Sequence, residues 1–100
     1  MDACDLAMSK RIAEKIRRKP ELMKIALENL RNWRKIHRPW PPALREWEEI
    51  LAHNSADEIL AIFTEDSHEG QRLRQSDLFV GILTEAERRW FLENYEPESA

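Results

Sequence analysis

Three histidines, one cysteine and a Ser-His-Glu triplet are the residues whose types could do chemistry in this chain. His37, His53 and His68 stand about fifteen residues apart in three different segments. That spacing is too wide for two imidazoles of one helix turn or loop to share a metal ion. Cys4 is the single cysteine, which excludes an internal disulfide and a cysteine-based zinc site. No neighbour in the sequence is placed to activate it as a nucleophile. Ser67-His68-Glu69 contains triad residue types, but successive residues of a helix point in different directions, so they cannot act in relay. Gly70 and Gly81 stand alone and form no phosphate-cradling loop. These patterns lead to the expectation of a non-enzymatic protein with no cofactor and no metal.

Charge is the stronger signal. From Ser9 to Arg38 the chain carries eleven Lys and Arg against Glu14, Glu21 and Glu28, a local balance of +8. From Glu46 to the end, four Arg face fourteen Asp and Glu, a balance of −10, so the net charge of −3 conceals the split. A basic arm beside an acidic body either has a charged partner or uses each half to hold the other.

One hundred residues make one domain, and 42 % apolar residues with four Trp and three Phe suffice for one core. A charged fraction of 35 % predicts long solvated helix faces, and two glycines are too few for the turns of an all-β fold. No apolar run approaches a membrane span and no signal peptide opens the chain, so a soluble, cytoplasmic protein is expected.

The elements that must position these charges are helices. Leu6, Ser9, Ile12, Ala13 and Ile16 predict a helix over about 5–18, closed by Pro20. Leu22, Ile25, Ala26, Leu30, Trp33 and Ile36 or His37 predict a second buried stripe over about 20–37. Lys24, Glu28, Arg31, Lys35 and Arg38 lie on another face of that helix. The pair reads as a basic helical hairpin over 5–38. Arg38-Pro39-Trp40-Pro41-Pro42 reads as an extended connector over 39–42, because proline excludes helix and biases its predecessor to extended geometry. An acidic helical unit over 43–95 and a frayed tail at 96–100 complete the division.

Within the acidic unit, Pro42 to His53 buries Leu44, Trp47, Ile50 and Leu51. Ser55-Ala56-Asp57-Glu58 and Thr84-Glu85-Ala86-Glu87 are capping boxes that open helices to Phe63 and to about Asn94. Between them, a short helix after Asp66, capped by Asp66 with Glu69, has only Leu73 as an apolar anchor. Leu78 to Leu83 is the one continuous apolar run, more of it core than surface. The whole predicts an all-α bundle of five or six short helices.

Four candidate surfaces follow. Gln71, Arg72 and Arg74 belong to the weakly anchored helix, and the two arginines are suited to forked contacts with carboxylate or phosphate; local neutralisation of Glu65, Asp66 and Asp77 is the bland alternative. Phe79 and its neighbours would dock a partner with whatever part of the run is exposed. Trp40, set between prolines, is the tryptophan best placed for an interface. Lys24, Arg31, Lys35 and Arg38 form a stripe that could bind nucleic acid, or be solvated, or pair with the acidic half.

Several blocks resemble a known group. Trp47-Glu48-Glu49-Ile50-Leu51, Glu58 to Ile62, Thr64-Glu65-Asp66-Ser67 with Gly70 to Ser76, Phe79 to Thr84, and Glu87-Arg88 are similar to small bacterial proteins encoded beside nucleotidyltransferase genes in toxin–antitoxin-like pairs. The likeness covers about residues 22–90. It departs at Asp77-Leu78-Phe79, where the group has Ser-Pro-Phe. The resemblance implies an antitoxin-like protein that binds and neutralises a toxin enzyme. Arg72 and Arg74 would sit where that enzyme holds phosphates or acidic metal ligands, and the Phe79 loop would plug an adjacent groove. The expectation is therefore a protein-binding module. A nucleic-acid-binding regulator and a self-associating homo-oligomer remain the alternatives, and no membrane partner is expected.

Overall fold

A computed structural model describes residues 3–76 and 78–95. Asp77 and the tail expected to fray at 96–100 lie outside the described residues. Among those described, six α-helices and no strand are present: α1 Ala3–Arg18, α2 Met23–Ile36, α3 Pro42–His53, α4 Ala56–Phe63, α5 His68–Arg74 and α6 Glu85–Asn94. The all-α bundle read from the sequence is the fold. Its radius of gyration, 13.6 Å, is that of one folded domain of this length, about 13 Å.

Local chemistry sets the boundaries. Pro20 ends α1 and opens a 3₁₀ turn over Pro20–Leu22, so α2 begins three residues later than its apolar stripe predicts. The Arg38–Pro39 peptide bond is cis, and His37 and Pro41 are extended. Both capping boxes form reciprocally, Ser55 with Glu58 and Thr84 with Glu87. The cap of α5 is Ser67, whose Oγ accepts from the Gly70 N–H at 3.1 Å. Asp66, the expected cap, is exposed; the shorter serine stands one residue nearer and takes the role.

The core is built around Trp47, which is fully buried. Its indole meets Phe63 and Phe79 edge-on at 6.2 and 5.6 Å, and those two rings lie 4.2 Å apart. Each such aromatic pair adds about 1 kcal/mol beyond its buried area. Trp47 Nε1 donates to the Leu73 carbonyl at 2.9 Å, tying α3 to the end of α5. Ile12, Ala13 and Ile16 of α1, Ala26 of α2 and Ile59 and Leu60 of α4 close around this group. Along its length α1 lies against α4, α5 and α6, and it meets α2 chiefly at the turn. The basic arm is thus interleaved with the acidic unit. The stripe of α2 runs off the body at its end: Ile36 is 72 % exposed and His37 is exposed, against the expectation that one of them is buried.

Leu78–Leu83 is neither helix nor strand. Leu78, Phe79 and Ile82 are buried while Val80 is half exposed. Gly81, at φ 98°, supplies the left-handed turn that lets residues on both sides point inward. Side chains from other helices satisfy the carbonyls of this non-helical stretch. Asn29 Nδ2 donates to Leu78 O and Val80 O, each at 2.9 Å, and Lys15 Nζ donates to Ile82 O at 2.7 Å.

Candidate functional site

The cations of the basic arm have two fates. On α1, Arg11, Lys15 and Arg18 are paired within the fold, while exposed Lys10 and Arg17 have no ion pair among the described residues. Glu87 of α6 accepts from Lys15 Nζ at 2.5 Å and from Arg11 Nε at 3.0 Å. Glu14 accepts from Arg11 and faces Arg18. The Lys15 ammonium, then the Thr84 backbone N–H and Arg11, hold the Glu87 carboxyl down at about 2. On α2 the outcome differs. Lys24, Arg31, Lys35 and, just past the helix end, Arg38 are all exposed, and among the described residues none has an ion pair or hydrogen bond. Lys24, Arg31 and Lys35 share one face because their spacing is seven and four residues. Leu27, 44 % exposed, lies on the same side of the helix, and Ile36 stands open at its end.

Two of the five residues expected to touch a partner are interior. Arg74 is 3 % exposed and Phe79 is 2 % exposed. Arg74 Nε donates to Asp5 Oδ2 at 2.8 Å, and Nη1 donates to Phe63 O at 3.0 Å and Glu65 O at 2.9 Å. Its guanidinium therefore takes the carbonyls that α4 leaves open at its C-terminus. Phe79 is withdrawn because it completes the Trp47–Phe63 stack. The helix that carries Arg74 is accordingly not weakly anchored: Gly70, Leu73 and Arg74 are all buried.

Arg72 stays at the surface but is committed. Its guanidinium donates to both oxygens of Glu46, at 2.8 and 2.9 Å, and to Glu69 at 2.7 Å. That fork lowers both carboxyl pKa values from their ordinary level. Gln71 is half-buried beside it. Trp40 is half-buried rather than open, with Nε1 donating to Glu48 Oε1 at 2.7 Å. Arg34 pairs with the same oxygen at 2.6 Å and lies over the indole at 4.9 Å. Trp40 thus staples the α2–α3 corner.

Sequence reading missed Asn29, Asp5 and the Lys15–Glu87–Arg11 cluster. Asn29 carried a signal, being a polar residue on the apolar side of α2, four positions after Ile25. The ion pairs join residues 69 to 76 positions apart and left no local trace.

What the fold and surface define is a class: a small helical domain, six-helix among the described residues, in which α2 carries an exposed basic face that no acid there neutralises. Comparison with models of protein families, with curated proteins and with solved structures finds no match to this chain. Among the described residues, no three of His, Cys, Asp and Glu gather as metal ligands, and no helix is long and apolar enough to cross a membrane.

Proposed function

We infer that this chain is a non-enzymatic interaction protein that binds an acidic surface of a protein partner through the exposed face of α2. Its antitoxin-like form, restraint of a nucleotidyltransferase-type enzyme, is the version favoured by the sequence resemblance. One observation carries the reading: among the described residues Lys24, Arg31, Lys35 and Arg38 have no ion pair or hydrogen bond, whereas Arg11, Lys15 and Arg18 of α1 are paired within the fold. Clustered like charges repel one another, and complementary acids on a partner turn that repulsion into association and steering. Leu27 and Ile36 beside the cluster favour a protein over a phosphate backbone, because a protein interface pairs an apolar core with a charged rim, whereas a phosphate backbone offers aliphatic side chains nothing to pack on. The net charge of −3 also disfavours a polyanion. The inhibitory contact is moved from the Arg72–Arg74 segment to α2, since Arg72 and Arg74 are already committed to Glu46, Glu69 and Asp5.

Co-expression with the product of the adjoining gene tests this. A co-purifying complex is expected, with the enzyme silenced in it. Lys24→Glu with Arg31→Glu, Lys35→Glu and Arg38→Glu should weaken it at least tenfold, roughly the scale of interfacial charge reversal. The same variant should keep its Tm within a few degrees, as surface changes of about 0.5 kcal/mol do. Unchanged affinity would refute the α2 interface. No complex, together with salt-sensitive retardation of duplex DNA by the wild type, would replace it with the nucleic-acid reading.

A further inference from the structure

A second feature of the molecule involves no residue of α2. A cavity of about 150 Å³ lies between α1, the end of α4, α5, the 78–83 turn and α6. Asp5, Ser9, Arg74 and Arg88 form its polar part, and apolar side chains including Met8 and Val80 form the rest. We propose that this cavity is a binding site for a compact apolar carboxylate, held at its anionic end by Arg74 and Arg88.

Three observations support it. First, Arg74 lines the cavity and its Nη2 is cut off from solvent without an acceptor. An unpaired buried donor of a charged group is costly, so a small turn of the guanidinium toward an acceptor seated in the cavity is favoured. Second, the charge is unbalanced. Asp5 neutralises Arg74, while Arg88 has no ion pair among the described residues, which leaves one positive charge at the cavity. An anion balances it; a neutral ligand does not. Third, water is a poor filling for the whole space. Several waters fit by volume, but each needs two to four polar partners, and an apolar cavity of about this size takes a benzene ring. One carboxylate and one ring-sized apolar body match the two ends. Such a group is offered by a free small acid or by the C-terminal residue of a polypeptide.

The test uses the full chain, with NMR of the Met8 and Val80 methyl groups and calorimetry. Benzoate is expected to shift both methyls and to bind at roughly millimolar Kd or tighter, as its few heavy atoms allow. Benzyl alcohol, which keeps the ring, and inorganic phosphate, which keeps only the charge, should each bind at least about tenfold more weakly. Arg88→Ala should weaken benzoate by about tenfold. Met8→Trp, which fills the cavity from its wall, should abolish binding while Tm is held. Arg74 is too deeply built into the fold to serve as the variant. A peptide ending in a free phenylalanine that binds more tightly than N-acetylphenylalanine assigns the carboxylate to a polypeptide terminus; the reverse assigns it to a free acid. Methyls unmoved by benzoate at about 10 mM overturn the site. So does equal affinity for benzyl alcohol or phosphate, or benzoate binding that survives both substitutions.

Discussion

Gly70 is the residue on which the α4–α5 corner depends. A Cβ built there would stand 2.2 Å from the Glu65 carbonyl oxygen and 3.0 Å from Arg74 Nη1. The first neighbour is backbone and cannot swing aside. The second is the nitrogen that joins Phe63 O and Glu65 O to α5. Gly70→Ala should therefore push α5 away from the turn and uncouple Arg74, although alanine is by itself the better helix former. A loss of about 3 kcal/mol is expected, combining overpacking with a broken buried charge network. Thermal denaturation reads this as a fall in Tm of more than about 10 °C for a domain of this size. His68→Ala, an exposed position on the same helix, should leave Tm nearly unchanged. Equal Tm values for Gly70→Ala and the wild type would show that the corner yields, and that Arg74 does not depend on it.

At the level of elements, what was legible in the sequence was whatever is local. The spacing of Leu44 and Trp47 and the boxes at Ser55 and Thr84 each act within one helix turn and landed where expected; Pro20 closed α1 as expected but opened a 3₁₀ turn before α2. What was not legible is the pairing of distant groups. Asp5 reaches Arg74 across 69 positions, which turned a candidate partner-binding arginine into a core residue. Glu48 similarly consumed Trp40. The Leu78–Leu83 run was ambiguous because its hydrophobicity marks burial but not conformation. Its conformation is set by Asn29, whose amide bridges Leu78 O and Val80 O. Asn29→Ala should leave the first carbonyl without a donor and hand the second to water, at a cost of about 1–2 kcal/mol. Hydrogen exchange localises the effect: the Ile82 amide, bonded to Phe79 O at 3.4 Å, should exchange faster, with amides inside α3 little changed. Uniform acceleration across all helices would mean that Asn29 supports the whole fold rather than this turn.

Over the whole molecule, the two poles read from the sequence are half reconciled by folding. α6 buries none of its residues. It is attached to α1 by the Glu87 cluster, by the Cys4 Sγ contact with Phe91 O and by half-buried Phe91, while Trp90 and Leu92 stay open. Attachment through charge makes the position of α6 dependent on pH. The Glu87 carboxyl ordinarily titrates near 4.5 and is held at about 2 in the fold by Lys15, Thr84 and Arg11. A depressed acid stabilises the folded state fully above the unfolded value, and that contribution drains away as pH falls from 4.5 toward 2. With the carboxylate about one-fifth exposed, screening reduces the gain to about 2 kcal/mol. Glu87→Gln should therefore lower Tm by roughly 10 °C at neutral pH, and the gap from the wild type should close as the solution approaches pH 2. Acid also strips the remaining carboxylates of charge while the α2 cations keep theirs, so self-repulsion rises over the same interval. The two causes separate in salt: added salt relieves the repulsion between exposed α2 charges more than it weakens the partly buried Lys15–Glu87 pair. A wild-type and Glu87→Gln pair whose Tm difference stayed constant from pH 7 to pH 2 would mean that α6 is held by Phe91 and its apolar contacts, with the ion cluster contributing nothing to the attachment.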